Sequence, residues 1–234
     1  MIMLRKLAIW GVGVIVAGAL ALSIGFIGLV EVSARSGNPA MQNELGRWYD
    51  NGIWLHPKNK QTAAIWYQRS AESNYAKAQY NLGLLFKEQG DYQQAVRWYQ
   101  RAANQKYAAA QLNLGVLYSE GLGVKKDLKK AIYWIEMGAE NGDSIAEYEL
   151  GRAYMTGRGV RADPIRGAAW IQKSANQDFA TAQSYLALLY VKGKGVKEDL
   201  SEALRWAKKA DANGDERAAE TLKAIEGIKQ QRGE

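Results

Sequence analysis

The chain has 234 residues, of which 47% are apolar and 24% are charged, so its composition is ordinary for a folded protein. Cysteine is absent, which excludes disulfide bonds, a thiolate nucleophile and a cysteine-ligated metal. The formal net charge of +7 is spread along the chain without a basic run or a nucleic-acid motif, and this favours a solvated surface over a nucleic-acid-binding one.

The N-terminal region contains a candidate membrane anchor. Residues 1–6 are short and basic, and residues 7–30 then carry no charge over 24 positions. At about 1.5 Å of rise per residue, a helix of this length crosses a bilayer core of about 30 Å. We therefore predict a transmembrane helix at 7–30. Because Arg5 and Lys6 precede it and Glu31 follows it, the positive-inside rule predicts a cytoplasmic N-terminus and a repeat domain on the outer side.

A cleaved signal peptide is the alternative interpretation of this segment. The apolar region of a signal peptide is usually about 7–15 residues, which is shorter than the stretch found here. The small residues Val32-Ser33-Ala34 are a fair match to a cleavage site, and cleavage after Ala34 would give a secreted soluble protein. Residues 31–39 are small and polar and end in Pro39, which predicts a short linker.

A repeated pattern begins near residue 40. Each unit contains a Leu, here called the marker Leu, that is usually followed by Gly and then by an aromatic residue. A Trp comes later in the unit, and each Trp lies 16 residues before the next marker Leu. The leucines are Leu45, Leu82, Leu114, Leu150, Leu186 and Leu222, and the tryptophans are Trp66, Trp98, Trp134, Trp170 and Trp206. This periodicity predicts five repeats at residues 40–214.

Each repeat has the signals of two helices. The first is predicted to end at a glycine suited to a left-handed cap, and the second to begin after an Asp or Asn that caps its amides. The cap glycines are Gly121, Gly157 and Gly193, and the capping residues are Asn59, Asp91, Asp127, Asp163 and Asp199. The glycine after the marker Leu predicts a close approach of the partner helix. Residues 215–234 predict a C-terminal capping helix and tail.

Two repeats depart from the pattern. Residues 78–107 lack the G-x-G-V insertion, so that Gly90-Asp91 is the whole turn between their helices. The first repeat has Gly52-Ile53-Trp54-Leu55-His56-Pro57 where later repeats have G-x-G-V, and we expect this loop to stand apart from the others.

The segment from Ala110 to Ala139 follows the string A-x-x-x-L-G-x-x-Y-x-x-G-x-G-V-x-x-D-x-x-K-A-x-x-W-x-x-x-A-A, with Gly138 in place of one Ala. This string closely resembles the Sel-one-like repeat, a relative of the tetratricopeptide repeat. The resemblance implies an all-α, α-α superhelical solenoid of about five helix-pair repeats, here preceded by one transmembrane helix. It also implies a protein–protein interaction scaffold in a bacterial envelope. We therefore expect an inner-membrane protein with a periplasmic repeat domain.

The predicted partner site is the concave face lined by the first helices, where an apolar groove would receive a peptide or a helix. Its candidate residues lie two residues before, two residues after and five residues after each marker Leu. Half of them could instead pack against neighbouring helices. The candidates are Asn43, Arg47, Asp50, Tyr80, Leu84, Lys87, Leu112, Val116, Ser119, Tyr148, Arg152, Met155, Ser184, Leu188 and Val191.

Catalytic chemistry is not favoured by the sequence. His56 is the sole histidine, the repeated Asp residues stand at cap positions, and the G-x-G pairs lack the third glycine of a nucleotide fingerprint. We therefore expect no catalytic, cofactor or metal site. The alternative is a glycan-binding regulator or enzyme accessory protein of the envelope. A hydrolase would need two carboxylates in one pocket, whereas Glu147 and Glu149 are predicted to point to different sides of their helix.

Overall fold

The computed structural model describes residues 25–232, and within them the protein is all-α, with twelve helices and no strand. The helices are α1 (residues 25–35), α2 (Pro39–Asn51), α3 (Lys60–Glu72), α4 (Ala76–Glu88), α5 (Tyr92–Asn104), α6 (Ala108–Glu120), α7 (Leu128–Glu140), α8 (Ser144–Thr156), α9 (Pro164–Asn176), α10 (Ala180–Lys192), α11 (Leu200–Ala212) and α12 (Ala218–Arg232).

Helices α2 to α11 form the five predicted repeats, with an even-numbered first helix and an odd-numbered second helix in each. The described residues divide into two compact units, one that ends at Leu85 and one that begins at Phe86. In the first unit, α2 packs against α3. In the second unit, α6 packs on α7, α8 on α9 and α10 on α11, and each second helix also contacts the first helix of the following repeat. The predicted solenoid of stacked helix pairs is therefore confirmed.

The predicted caps define the helix boundaries. The Asp127 carboxylate accepts a hydrogen bond from the amide of Lys130 at 3.0 Å, and the same bond recurs at Asp163 and Asp199. Each satisfies an amide that has no partner inside its helix. Helices α6, α8 and α10 each end on a left-handed glycine, as at Gly157 with a φ of 75°. The sequence therefore specifies both ends of the loop within these repeats.

The glycine after the marker Leu is required by contact between the paired helices. A Cβ atom at Gly151 would lie 2.6 Å from Cγ1 of Ile171 and 2.9 Å from the carbonyl oxygen of Gly167. Gly115 meets Ile135 at the same 2.6 Å in the preceding repeat. Since carbon atoms in contact are normally about 3.5–4.0 Å apart, a side chain here would push the helices apart. The predicted close approach is confirmed.

In four of the five repeats, a buried glutamine joins the first helix to the end of the helix before it. It lies three residues before the marker Leu, and its side-chain nitrogen donates to the carbonyl of the alanine eight residues earlier, at 3.0–3.1 Å. These glutamines are Gln42, Gln79, Gln111 and Gln183. Because a buried amide without a partner is costly, the bond helps to fix the stacking of successive helices.

The segment predicted as a linker, 31–39, differs from that prediction over most of its length. Helix α1 continues through residue 35, and only residues 36–38 separate it from α2. The physical reason is an apolar stripe, since Ile27, Val30 and Ala34 are buried against Trp48 of α2. The small residues of this stretch are suited to packing between helices rather than to a flexible connection.

Helix α1 takes the place that a second helix holds in later repeats. Its Ala34 carbonyl accepts the hydrogen bond from Gln42, just as the alanine carbonyls at the ends of the second helices accept from later glutamines. Ala34 is fully buried. Helix α1 therefore caps the N-terminal side of the first repeat.

The predicted transmembrane helix at 7–30 lies mostly outside the described residues, as does the predicted cytoplasmic segment 1–6. Of that helix, residues 25–30 are described, and they are helical. Among residues 25–232, no helix combines the length and the apolar character needed to cross a membrane.

The predicted C-terminal capping helix is present as α12. It contacts α11 and α10, and it buries Ala218 and Ile225. The rest of the helix carries mostly polar residues, in keeping with a terminal element that has one face in water. Residues 233–234 of the predicted tail lie outside the described range.

Candidate functional site

The fifteen predicted partner-site residues divide by accessibility. Five are buried in the packing between helices, namely Asn43, Leu112, Tyr148, Met155 and Ser184. Ten retain accessible surface, namely Arg47, Asp50, Tyr80, Leu84, Lys87, Val116, Ser119, Arg152, Leu188 and Val191. The buried five can contribute to a surface only by shaping it from beneath.

In the first unit, the predicted residues of α2 already bond to neighbouring side chains. Asn43 is fully buried, and its Oδ1 accepts a hydrogen bond from Asn81 Nδ2 at 2.8 Å. Arg47 donates to Glu44 at 2.7 Å within the same helix. These groups hold the structure together before any ligand is considered.

Tyr148 forms the centre of an aromatic cluster in the second unit. Its ring meets Phe179 and Tyr185 edge-on, with centroids 5.6 and 5.9 Å away. Burial raises the pKa of the Tyr148 phenol, so it stays neutral over the physiological range. Tyr148 is 8% exposed, and it supports the surface of α8 and α10 rather than presenting a ring to solvent.

Three of the accessible candidates meet around one cavity of about 100 Å³ between α6, α7 and α8. The side chains around it come from the third repeat and, in the fourth, from α8 and the loop that follows it. They are Val116, Ser119, Leu128, Ala131, Ile132, Ile135, Glu149, Arg152, Ala153, Thr156 and Arg158. Sequence spacing alone placed Val116, Ser119 and Arg152 on one surface, and the structure brings them together.

The cavity arises because Ser119 is small. In the next repeat its equivalent is Met155, which is 4% exposed and whose side chain lies over Gly167. There, a large residue is paired with a position that has no side chain. In the third repeat the equivalent residues are Ser119 and Ala131, which both line the cavity and are both small, so space remains.

A second difference in side-chain size also enlarges the cavity. Ala153 lines the cavity, whereas its equivalent 36 residues later is the buried Leu189. The rim residue Thr156 likewise corresponds to the longer Lys192. The comparison of the two repeats shows that side chains which fill the equivalent space one repeat later are smaller around this cavity.

The cavity has an apolar floor and a polar rim. Ile132, Ile135 and Ala153 are buried below it, whereas Arg152 and Arg158 are exposed at its edge. An apolar cavity of about 150 Å³ accommodates benzene, so this smaller one suits the end of a single aliphatic side chain. Its volume and its apolar lining are compatible with a residue such as Leu or Met.

The rim is electrostatically uneven. Arg152 donates to Glu149 Oε1 at 3.2 Å, so these two side chains largely satisfy each other. By contrast, among residues 25–232 no hydrogen bond or ion pair engages the exposed side chain of Arg158. A carboxylate placed beside the cavity would therefore find a free guanidinium, which can bind it through two parallel hydrogen bonds.

The carboxylates near the site do not form a catalytic pair. Glu147 is 5% exposed and accepts a hydrogen bond from Gln177 at 2.8 Å, whereas Glu149 bonds to Arg152 on the surface. Burial raises the pKa of Glu147, and the bond from Gln177 partly opposes this. Within the described part of the chain, no group of His, Asp or Glu side chains is arranged to hold a metal ion.

Four important residues of the cavity were not among the predicted site residues: Ile132, Glu149, Ala153 and Arg158. The prediction used fixed positions on the first helices, so it omitted the second helix and the loop. A comparison of side-chain size at equivalent positions would have found Ala153, since it corresponds to Leu in the next repeat.

Known proteins share this architecture. The Sel1 repeat model matches residues 39–75, 76–107, 108–143, 144–179 and 180–215. A Sel1 repeat protein from Oxalobacter formigenes is 39% identical over 81% of this chain and 76% of its own, with a TM-score of 0.72. The protective antigen c5321 of uropathogenic Escherichia coli, which has an SLR fold, is 34% identical over 83% of this chain, with a TM-score of 0.77.

This chain spans only 42% of c5321. An immunity protein from Pseudomonas aeruginosa, Pa5087, is 18% identical with a TM-score of 0.55, and therefore shares the fold alone. No curated protein matches significantly. The five matched repeats and the two relatives above 30% identity agree with the helix pairs described above, and the chain belongs to the Sel1 repeat family.

Proposed function

We propose that this protein is an interaction scaffold that binds a segment of a partner protein at the cavity between α6, α7 and α8. The observation that carries this proposal is the cavity itself, which is open in the third repeat and filled by Met155 and Leu189 in the fourth. An aliphatic side chain of the partner enters the cavity, and its burial supplies about 1.5–3 kcal/mol.

Arg158 gives the site its preference among apolar segments. Its guanidinium lies at the rim and is not engaged by another side chain of the described residues. An Asp or Glu next to the inserted residue pairs with it, whereas a Lys or Arg is repelled. The preferred partner segment therefore combines one aliphatic residue with a neighbouring carboxylate.

We further propose that the scaffold is anchored in a bacterial inner membrane, with residues 1–6 in the cytoplasm, a transmembrane helix at 7–30 and the repeats in the periplasm. The uncharged stretch and its flanking charges support this arrangement. The packing of α1 supports retention of the segment, because cleavage after Ala34 would remove Ile27 and Val30 and expose Trp48.

A peptide library tests the proposed site directly, since it samples many partner segments at once. Random peptides displayed on phage are selected against the full chain in detergent, and bound sequences are then tested against variants. We expect selected peptides to combine an aliphatic and an acidic residue, and to lose at least tenfold in affinity against Ser119→Met, which fills the cavity.

Val191→Met is the matched control, since it makes the same kind of change at the equivalent position two repeats later. It should leave peptide binding unchanged. Selected peptides that bind Ser119→Met as tightly as the natural chain would refute the cavity as the binding site.

A further inference from the structure

We propose that the loop between α2 and α3, together with the outer side of α1, lies on the surface of the lipid bilayer, where Trp54 and Leu55 enter the boundary between headgroups and acyl chains. This inference rests on the proposed membrane anchor. It goes further because it assigns a lipid contact to the first repeat itself.

The first observation is an exposed apolar patch within the first unit. Leu55 is 78% exposed and Trp54 is 52% exposed, and on α1 the outward residues Phe26, Leu29 and Val32 are 50–68% exposed. Half of the ten large, exposed apolar side chains in the described residues lie in this short region. Apolar residues that cluster at the surface commonly mark a contact with a protein or a membrane.

The second observation is that the patch is a fixed structure. The rings of Phe26, Trp48 and Trp54 form a triangle with centroid separations of 6.1–6.2 Å. Next to them, the buried His56 bonds through Nε2 to Glu31 at 3.0 Å and so joins the loop to α1. The loop and the helix therefore present their apolar side chains together.

The third observation concerns the backbone at Trp54. Its φ of 59° is left-handed, and the equivalent positions in later repeats are Gly123, Gly159 and Gly195, with φ from 69° to 78°. A non-glycine residue is uncommon in this region of backbone conformation, and a bulky one is an outlier. The first repeat thus carries a tryptophan at a position where glycine would be easier to accommodate, and it holds that tryptophan half exposed.

The fourth observation identifies the occupant as lipid. The uncharged stretch from Leu7 to Val30 runs directly into α1, so that Phe26 and Leu29 belong both to that stretch and to the patch. An anchor formed by this stretch brings the start of α1 to the membrane surface. Tryptophan is enriched at this depth, where an apolar ring with one polar N–H group fits the interface.

The absence of cysteine allows a direct test on the full chain. A single cysteine replaces Leu55, carries an NBD fluorophore, and the protein is reconstituted in phosphatidylcholine–phosphatidylglycerol vesicles. Ile165→Cys is the matched control, because Ile165 is an aliphatic residue with 73% exposure in the second unit. We expect the fluorophore at 55 to show blue-shifted emission and quenching by spin-labelled lipids, and the one at 165 to show neither.

Flotation separates a failure of this inference from a failure of the anchor. Protein that does not float with the vesicles refutes the anchor and the inference with it. Protein that floats while position 55 behaves like position 165 refutes the inference alone. A third outcome is blue-shifted emission that lipid quenchers do not reach and that disappears when the protein is diluted. This outcome shows that a second copy of the protein covers the patch, and it also overturns the lipid contact.

Trp54→Gly provides a second variant whose fold should be preserved, because it restores the residue found in later repeats. We expect the variant to keep the helical circular-dichroism spectrum of the natural chain, while lipid quenching at position 55 falls. Unchanged quenching in this variant would contradict a role for Trp54 at the membrane surface.

Discussion

At the residue scale, one carboxylate interrupts the row of buried glutamines. Four repeats have Gln three residues before the marker Leu, whereas the fourth repeat has Glu147. Gln111 and Gln183 each donate to an alanine carbonyl and accept from an asparagine of the next loop. Glu147 accepts a bond from Gln177 in the same way, but when ionised it has no proton to donate.

The first prediction is that Glu147→Gln stabilises the protein at neutral pH by about 1 kcal/mol, the usual value of a hydrogen bond. Burial raises the pKa of Glu147 in the folded state, so its charge lowers stability as the pH rises through that pKa. The gain should therefore shrink at about pH 4, near the ordinary pKa of glutamate. Chemical denaturation of the natural chain and the variant at neutral pH and at about pH 4 measures this difference in the free energy of unfolding.

Glu149→Gln is the control for this prediction, because Glu149 is half exposed and paired with Arg152. It should give no comparable gain. Equal stabilisation by Glu147→Gln at both pH values, or a loss at neutral pH, would show that the buried charge is not the cause.

At the element scale, the distance between paired helices depends on positions without a side chain. Our second prediction is that Gly151→Ala lowers the free energy of unfolding by about 1–3 kcal/mol, because the added Cβ meets Ile171 and the Gly167 carbonyl. This loss should occur although alanine is favoured over glycine in a helix by about 1 kcal/mol.

The matched control lies in α12, where a Cβ at Gly227 would meet no atom within 4 Å. Gly227→Ala should therefore raise stability by up to about 1 kcal/mol. Opposite signs for the two substitutions in denaturant unfolding are the expected result. Two substitutions that both stabilise would refute close helix contact as the reason for Gly151.

The third prediction concerns α1 as the cap of the first repeat. Val30 is 2% exposed against α2, so Val30→Asp places a carboxylate in an apolar contact. Faster hydrogen exchange should follow in α1 and α2, with α8 to α11 unchanged. Arg35→Ala changes an exposed residue of the same helix outside the apolar patch, and it should leave exchange at its natural rate. Equal effects of the two variants would argue against the cap.

At the scale of the whole molecule, the sequence predicts what every repeat shares. The helix ends at Asp127 and Gly157 and the close approach at Gly151 follow from residues that recur with fixed spacing. The cavity depends on a difference between repeats, because a pattern of recurring residues does not show that Ser119 leaves space where Met155 fills it.

The role of α1 escaped prediction for another reason. Hydrophobicity does not distinguish a residue that faces lipid from one that faces protein, and residues 25–30 of α1 belong to the uncharged stretch. Only the packing of Ile27 and Ala34 on the first repeat separates the two roles. In sequence, the small residues around Ala34 resemble a linker, whereas in the structure Ala34 is buried in a contact between helices.

The fourth prediction tests the orientation of the anchored chain. Lys129 is exposed on α7, so Lys129→Cys in this cysteine-free protein gives a unique label site. A maleimide that does not cross the inner membrane should label it in cells whose outer membrane has been made permeable. Labelling that requires lysis of the inner membrane would place the repeats in the cytoplasm and contradict the proposed topology.

The most direct test of partner binding is photocrosslinking in the native membrane. A photoreactive amino acid replaces Thr156, an exposed residue at the rim of the cavity, and a control is placed at Lys129. We predict one specific adduct at 156, none at 129, and loss of the adduct when Ser119→Met fills the cavity. An adduct at 156 that persists with Ser119→Met, or equal adducts at both positions, would contradict binding at the cavity.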